Sequence, residues 1–171
     1  MKSIKNTCLL LIAVILSASA YAQTPKPRVS PAESVTGKIG DATIAIHYSS
    51  PSVKGRKIWG GLVPYDTVWR AGANEATTFE TDKDIKIGHK QLPAGKYGFF
   101  LVPKEKDKWI AVFNTVPNQW GAFKYDATKD QLRVEVKTTA LPDDQEMLVY
   151  KITPKGFLLN WEKQSVFIPV K

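Results

Sequence analysis

Residues 42–49 read Ala-Thr-Ile-Ala-Ile-His-Tyr-Ser, and their alternation decides the fold class. Ile44, Ile46 and Tyr48 fall on one face, and Thr43, Ala45 and His47 on the other. A period of two with β-branched residues describes a strand with one face against a core. Short runs of the same style follow along the chain. They are 76–81, 84–87, 97–102, 109–114, 131–136, 147–152, 157–161 and 165–170. Leu92-Pro93-Ala94-Gly95 and Pro154-Lys155-Gly156 supply turn chemistry between them, and the second predicts a hairpin. Pro169 predicts that the last strand lies at an edge, since proline gives a sheet no N–H. No segment carries a long 3.6-residue apolar stripe. The expected fold is all-β: a β-sandwich of about eight to ten mainly antiparallel strands with one long irregular loop. The expected core contains Ile44, Ile46, Phe79, Phe99, Leu101, Ile110, Val112, Val134, Val149 and Leu159.

Upstream of this pattern the chain reads as a targeting segment. Lys2 and Lys5 form a positive start, Cys8 to Leu16 is apolar without a break, and Ala20-Tyr21-Ala22 offers a cleavage site. The apolar stretch is shorter than the roughly 20 residues a spanning helix needs. Residues 1–22 are therefore expected to be a signal peptide, 23–33 a mobile N-terminal tail, and 34–171 a single β domain. Cys8 opens the apolar stretch instead of following it, so lipid anchoring is not expected. The expected location is periplasmic or secreted, with no membrane span after cleavage. Cys8 is the only cysteine, so cleavage would leave no disulfide, thiolate nucleophile or cysteine metal site.

The whole chain carries +8; loss of Lys2 and Lys5 lowers this by two to +6. The charge is dispersed, and even Lys104 to Lys108 alternates bases with acids. A nucleic-acid partner is not expected from such a distribution. No nucleotide, phosphate-loop or serine-elbow motif is present, and nothing in the residues calls for a cofactor. His47 and His89 lie far apart with no thiols beside them, so a zinc site is not expected.

The informative region is 50–74, SPSVKGRKIWGGLVPYDTVWRAGAN, which shows no strand pattern. A loop of this length is uncommon in a compact domain and is often functional. A short helical turn near Tyr65 to Arg70 is compatible with it. Three runs, Ser50-Pro51-Ser52-Val53-Lys54-Gly55-Arg56-Lys57-Ile58-Trp59-Gly60, Leu62-Val63-Pro64-Tyr65 and Val68-Trp69-Arg70-Ala71-Gly72-Ala73-Asn74-Glu75-Ala76-Thr77, resemble the signature of the domain-of-unknown-function family numbered 2911. Leu92 to Tyr97 and Asn118 to Phe123 resemble it too. The resemblance covers about Ser30 to the C-terminus. It implies an exported bacterial protein and brings no catalytic residues with it.

The candidate binding residues are Lys54, Arg56, Trp69, Arg70, Asn74 and Glu75, with Trp120 as a stacking surface beside Gly121. Arginine offers a planar fork of donors for a carboxylate or phosphate, and tryptophan a flat apolar face. Such a set would hold a glycan or an acidic small molecule. The plainer reading, preferred because ion-pair networks mimic sites, pairs Arg70 with Glu75, caps a turn with Asn74 and buries Trp69. A buried anchoring role is equally open to Trp120. Glu75 or His47 would serve a small hydrolase if the fold brings them together, although the plainer place for His47 is the surface. Three functions stay open: a small-molecule or glycan binding module, a hydrolase, or a structural or partner-binding envelope protein.

Overall fold

The computed structural model describes residues 28–106 and 108–171. The expected signal peptide, Cys8 and the first part of the expected tail lie outside the described residues. Among the described residues there are nine strands: β1 (Ala32–Ile39), β2 (Ala42–Ser49), β3 (Thr77–Thr81), β4 (Ile85–Ile87), β5 (Lys90–Leu92), β6 (Gly95–Val102), β7 (Lys108–Asn114), β8 (Asp130–Thr153) and β9 (Gly156–Pro169). Seven form one antiparallel sheet in the order β1-β2-β3-β6-β7-β8-β9, and β4-β5 is a small hairpin beside it. The large sheet curls until β1 meets β8, giving a nearly closed, barrel-like sandwich. A Cβ at Gly37 would lie 3.0 Å from Ile152 Cγ2, so a glycine is what lets β1 approach β8. Among the described residues no helix is long and apolar enough to cross a membrane.

The alternation of β2 is realised: Ile44 and Ile46 are fully buried and His47 is exposed. β9 lies at the sheet edge, as Pro169 predicts. β1 begins at Ala32, inside the stretch read as a tail, because its backbone pairs with β2 from Ala32–Ser49 to Ile39–Ala42. The two runs read as separate final strands are one strand, β9, with an irregularity between them. Glu162 takes a φ of 53° there, and the register with β8 shifts. Phe157, Leu159 and Trp161 face inward before it, and Val166 and Ile168 after it, so the inward parity changes.

Three expected core residues are placed differently. Val149 is half-buried, while its neighbours Leu148 and Tyr150 point inside. Ile110 and Val112 lie on the opposite face of β7, in a second apolar cluster with Phe100, Val102 and Ala76. The main core instead takes Trp109, Ala111 and Phe113 from β7. β6 and β7 are covered on both faces, so alternation alone does not say which face is inside.

The long irregular segment closes one end of the barrel. It holds no helical turn over 65–70. Trp59 and Trp69 go down into the main core and meet Trp109 and Trp161. Trp59 makes edge contacts with the other three, at centroid distances of 5.6, 4.7 and 5.6 Å, and Trp69 stacks on Trp161 at 5.7 Å. Such pairs add about 0.5–1.5 kcal/mol each beyond burial, so side chains help tie the loop to the barrel.

Candidate functional site

The segment 50–54 is bonded to 146–148, where β8 leaves regular pairing with β9. Leu148 N–H donates to Pro51 C=O at 3.0 Å, Val53 N–H to Glu146 C=O at 2.9 Å, and Ser50 Oγ to Leu148 C=O at 2.6 Å. Farther on, Trp69 and Leu101 exchange both backbone hydrogen bonds, at 2.8 and 2.9 Å. Ala71 then turns with φ 53°, its C=O accepting from Tyr150 Oη at 2.8 Å and Thr77 Oγ1 at 3.0 Å. Asn74 repeats the left-handed conformation at φ 56°. Two non-glycine residues in this conformation within four positions is strain that the surrounding bonds hold in place. Arg70 lies at the start of that strained run.

Between this loop and β9 lies a cavity of about 490 Å³. Lys54, Arg56, Trp69, Arg70 and Asn74 line it, together with Leu62, Val29, Ser30 and Trp161. Among the described residues no aspartate or glutamate does. The Arg56 side chain donates from Nε and Nη2 to the carbonyls of Val53 and Ser52, which positions the guanidinium without neutralising it. Arg70 is half-buried. Its Nε is out of contact with solvent and has no hydrogen-bond partner, and no carboxylate pairs with it among the described residues. Burial pushes its pKa down, with no opposing contribution from an acid. Trp161, 1% exposed, adds a second buried donor without a partner, Nε1. Buried donors left unsatisfied cost about 1–3 kcal/mol each, more when charged, so a pair of them at one cavity requires an explanation.

A family model described as "Protein of unknown function (DUF2911)" matches residues 30–170. The chain belongs to this family. No curated protein and no solved structure matches it.

The DUF2911 chain corrects the plainer reading of the loop in two places. Arg70 does not pair with Glu75. Glu75 is instead held by Arg28, whose Nη1 and Nη2 each donate to a carboxylate oxygen at 2.8 Å. Asn74 does not cap a turn with its side chain; its Nδ2 donates to Ser30 C=O at 3.2 Å. Trp120 is 59% exposed, so it is not a buried anchor. Trp69, 9% exposed, is buried as the plainer reading has it, and still reaches the cavity wall. The structure thus gathers five of the seven candidates at the cavity and sends Glu75 and Trp120 to its flank.

Residues 28–31 form a strap across that flank. Arg28 is pinned by Glu75, Ser30 by Asn74, and Pro31 C=O accepts from Ser50 N–H at 2.8 Å. Neither the strap nor Trp161 was accessible to sequence reasoning. The strap has no periodicity, and Trp161 meets the loop only through the closure of the barrel. On the far side of the strap is a wider cleft of about 620 Å³, where His47 and Glu75 both sit, with Glu33 and Lys96. Hydrogen bonds from Arg28 hold the Glu75 carboxyl below the usual range, helped by its own backbone and the Arg28 charge. A depressed carboxylate keeps its partner at neutral pH and loses it only as pH falls through the depressed value. Among the described residues no group of three or more His, Cys, Asp or Glu side chains forms a metal centre.

The strap gives a direct prediction. In Glu75→Gln at pH 8, trypsin should cut the Arg28–Val29 bond roughly threefold faster than in wild type, because local opening governs the cleavage and an exposed ion pair contributes little. The fragment beginning at Val29 measures it. An unchanged rate would mean that the backbone bonds of Ser30 and Pro31 hold the strap without the ion pair.

Proposed function

We propose that this protein is an exported binding module for a small acidic molecule, with the cavity under the 50–74 loop as its site. The observation that carries this reading is the half-buried, unpaired Arg70 beside Lys54 and Arg56 in a cavity with no acid. Desolvating a guanidinium without a counter-charge is costly, and the cost is offset when an anion arrives. The planar fork of Arg70 suits a carboxylate. Trp69 and Trp161 supply an apolar wall, so the ligand combines an acidic group with a compact carbon skeleton, as a sugar acid does. Export is supported by the positive start, the apolar stretch and the Ala-x-Ala site before Gln23.

One observation favours a second reading, a hydrolase, since His47 and Glu75 share the wider cleft. It is the weaker one. A base works best with a pKa near the operating pH, whereas Arg28 holds Glu75 well away from it.

Calorimetry with glucuronate, galacturonate and glucose tests the binding reading. The two acids should bind and glucose should not, and affinity should fall roughly severalfold between 50 and 300 mM salt. Binding should also alter the intrinsic fluorescence, since Trp69 and Trp161 line the cavity. Equal binding of glucose, or no binding of either acid, would overturn the reading.

A further inference from the structure

We propose that the acid-free cavity is one end of a longer site, continued by the 116–125 loop, and that the occupant is an acidic oligosaccharide. Its carboxylate lies on Arg70 and a neighbouring sugar ring on Trp120. This rests on the reading of the cavity given above and extends it to a second subsite.

Five large apolar side chains are exposed among the described residues: Val29, Leu62, Val116, Trp120 and Phe123. Val29 and Leu62 line the cavity, and the other three lie within eight residues of one another on the loop. The loop is bonded directly to the cavity wall. Gly121 N–H donates to Asn74 C=O at 3.0 Å, and Ala76 N–H to Gln119 C=O at 2.9 Å. Arg70 joins the two parts. A Cβ at Gly121 would lie 3.5 Å from Arg70 Nη1 and 3.1 Å from the Phe123 ring. Gly121 also has φ 64°, a conformation that favours glycine, and the Phe123 ring leaves little room for a side chain there. Arg70 therefore lines the cavity and has its guanidinium near Gly121 of the aromatic loop.

The aromatics are not the loop's own packing. Ala122 and Tyr125 anchor it from beneath, against the second apolar cluster, and Tyr125 Oη donates to the Asp130 carboxylate. Trp120 and Phe123, the latter 83% exposed, stay outside this anchor. Charge points the same way. Residues 116–125 contain Lys124 and no acid, and the nearby Glu75 is neutralised by Arg28. An open aromatic platform is a poor place for a wholly apolar ligand, which is held by enclosure. It suits a pyranose, whose C–H face rests on the indole while its hydroxyls stay in water.

The test is calorimetry of the purified full-length protein with galacturonic acid, its linear trimer, neutral maltotriose and a triglutamate peptide. Wild type should bind the trimer roughly tenfold more tightly than the monomer, from one added aromatic contact. Trp120→Ala should lose that gain and leave monomer affinity unchanged, and Trp120→Phe should restore most of it. A trimer no tighter than the monomer, or equal losses on both in Trp120→Ala, would overturn the second subsite while leaving the cavity reading intact. Triglutamate binding as tightly as the trimer would overturn the oligosaccharide and favour a peptide. If neither galacturonic acid nor its trimer binds, the cavity reading falls as well.

Discussion

Arg70→Met should bind galacturonate roughly 100-fold more weakly than wild type, and should at the same time be the more stable protein by about 1 kcal/mol. The two signs come from one cause. The guanidinium is half-buried with no carboxylate partner and a solvent-inaccessible Nε that donates to nothing. Without ligand that arrangement opposes folding, since a charge is held away from water with no return. With ligand, the remaining Nη donors of the guanidinium form charge-assisted bonds that offset the burial of its charge, each worth about 1.5–3 kcal/mol. Methionine keeps an unbranched apolar stem and removes both the cost and the gain. Arg70→Lys should fall between, roughly tenfold weaker, because an ammonium keeps the charge but not the planar fork. Urea unfolding and calorimetry on the same three proteins give both numbers. If Arg70→Met is destabilised by 2 kcal/mol or more, the guanidinium is structural and the binding reading loses its main support.

Gly156→Ala should destabilise the protein by about 3–5 kcal/mol, the largest single-residue effect expected in the fold. Gly156 closes the β8–β9 turn at φ 149°, a region that side chains rarely enter. A Cβ there would lie 2.1 Å from the Ile168 carbonyl oxygen and 3.0 Å from the Phe167 ring. The oxygen belongs to backbone, so it can yield only if β9 moves. Displacing β9 would disturb Phe157, Leu159 and Trp161, all of them buried. Gly40→Ala is the control: it also has positive φ, 58°, but meets nothing within 4 Å. It should cost only about 1–2 kcal/mol. Unfolding free energies of the two variants, from urea titration, that differ by less than 1 kcal/mol would show that β9 absorbs the added methyl without strain.

The strands were legible where one face meets the core and the other meets water. β2 is such a strand, and Ile44, Ile46 and His47 fall where the alternation places them. Legibility fails at β6 and β7, where Phe100, Val102 and Val112 are buried behind the sheet while Phe99, Leu101 and Phe113 are buried in front of it. It fails again at 147–150, where four apolar residues in succession carry no parity, and at Glu162, where a left-handed residue changes the inward parity of a continuous strand. Among the candidate residues, Lys54, Arg56, Trp69, Arg70 and Asn74, chosen by type and clustering, line one cavity. Their pairing was not legible. Arg70 and Glu75 are five residues apart and complementary, which makes an ion pair the natural expectation. Arg28, 47 residues from Glu75, takes the carboxylate instead.

By itself the sequence determined that extended strands, not helices, build the domain, and that one long unpatterned loop interrupts them. Both follow from local properties: side-chain alternation, turn residues and the absence of a helical stripe. Which groups are left without partners was decided only by the tertiary structure. Barrel closure sets Trp161 beneath the loop, and the strap across the flank draws Glu75 away from Arg70. An unsatisfied donor is defined by everything that fails to reach it, and that depends on contacts between residues far apart in the chain.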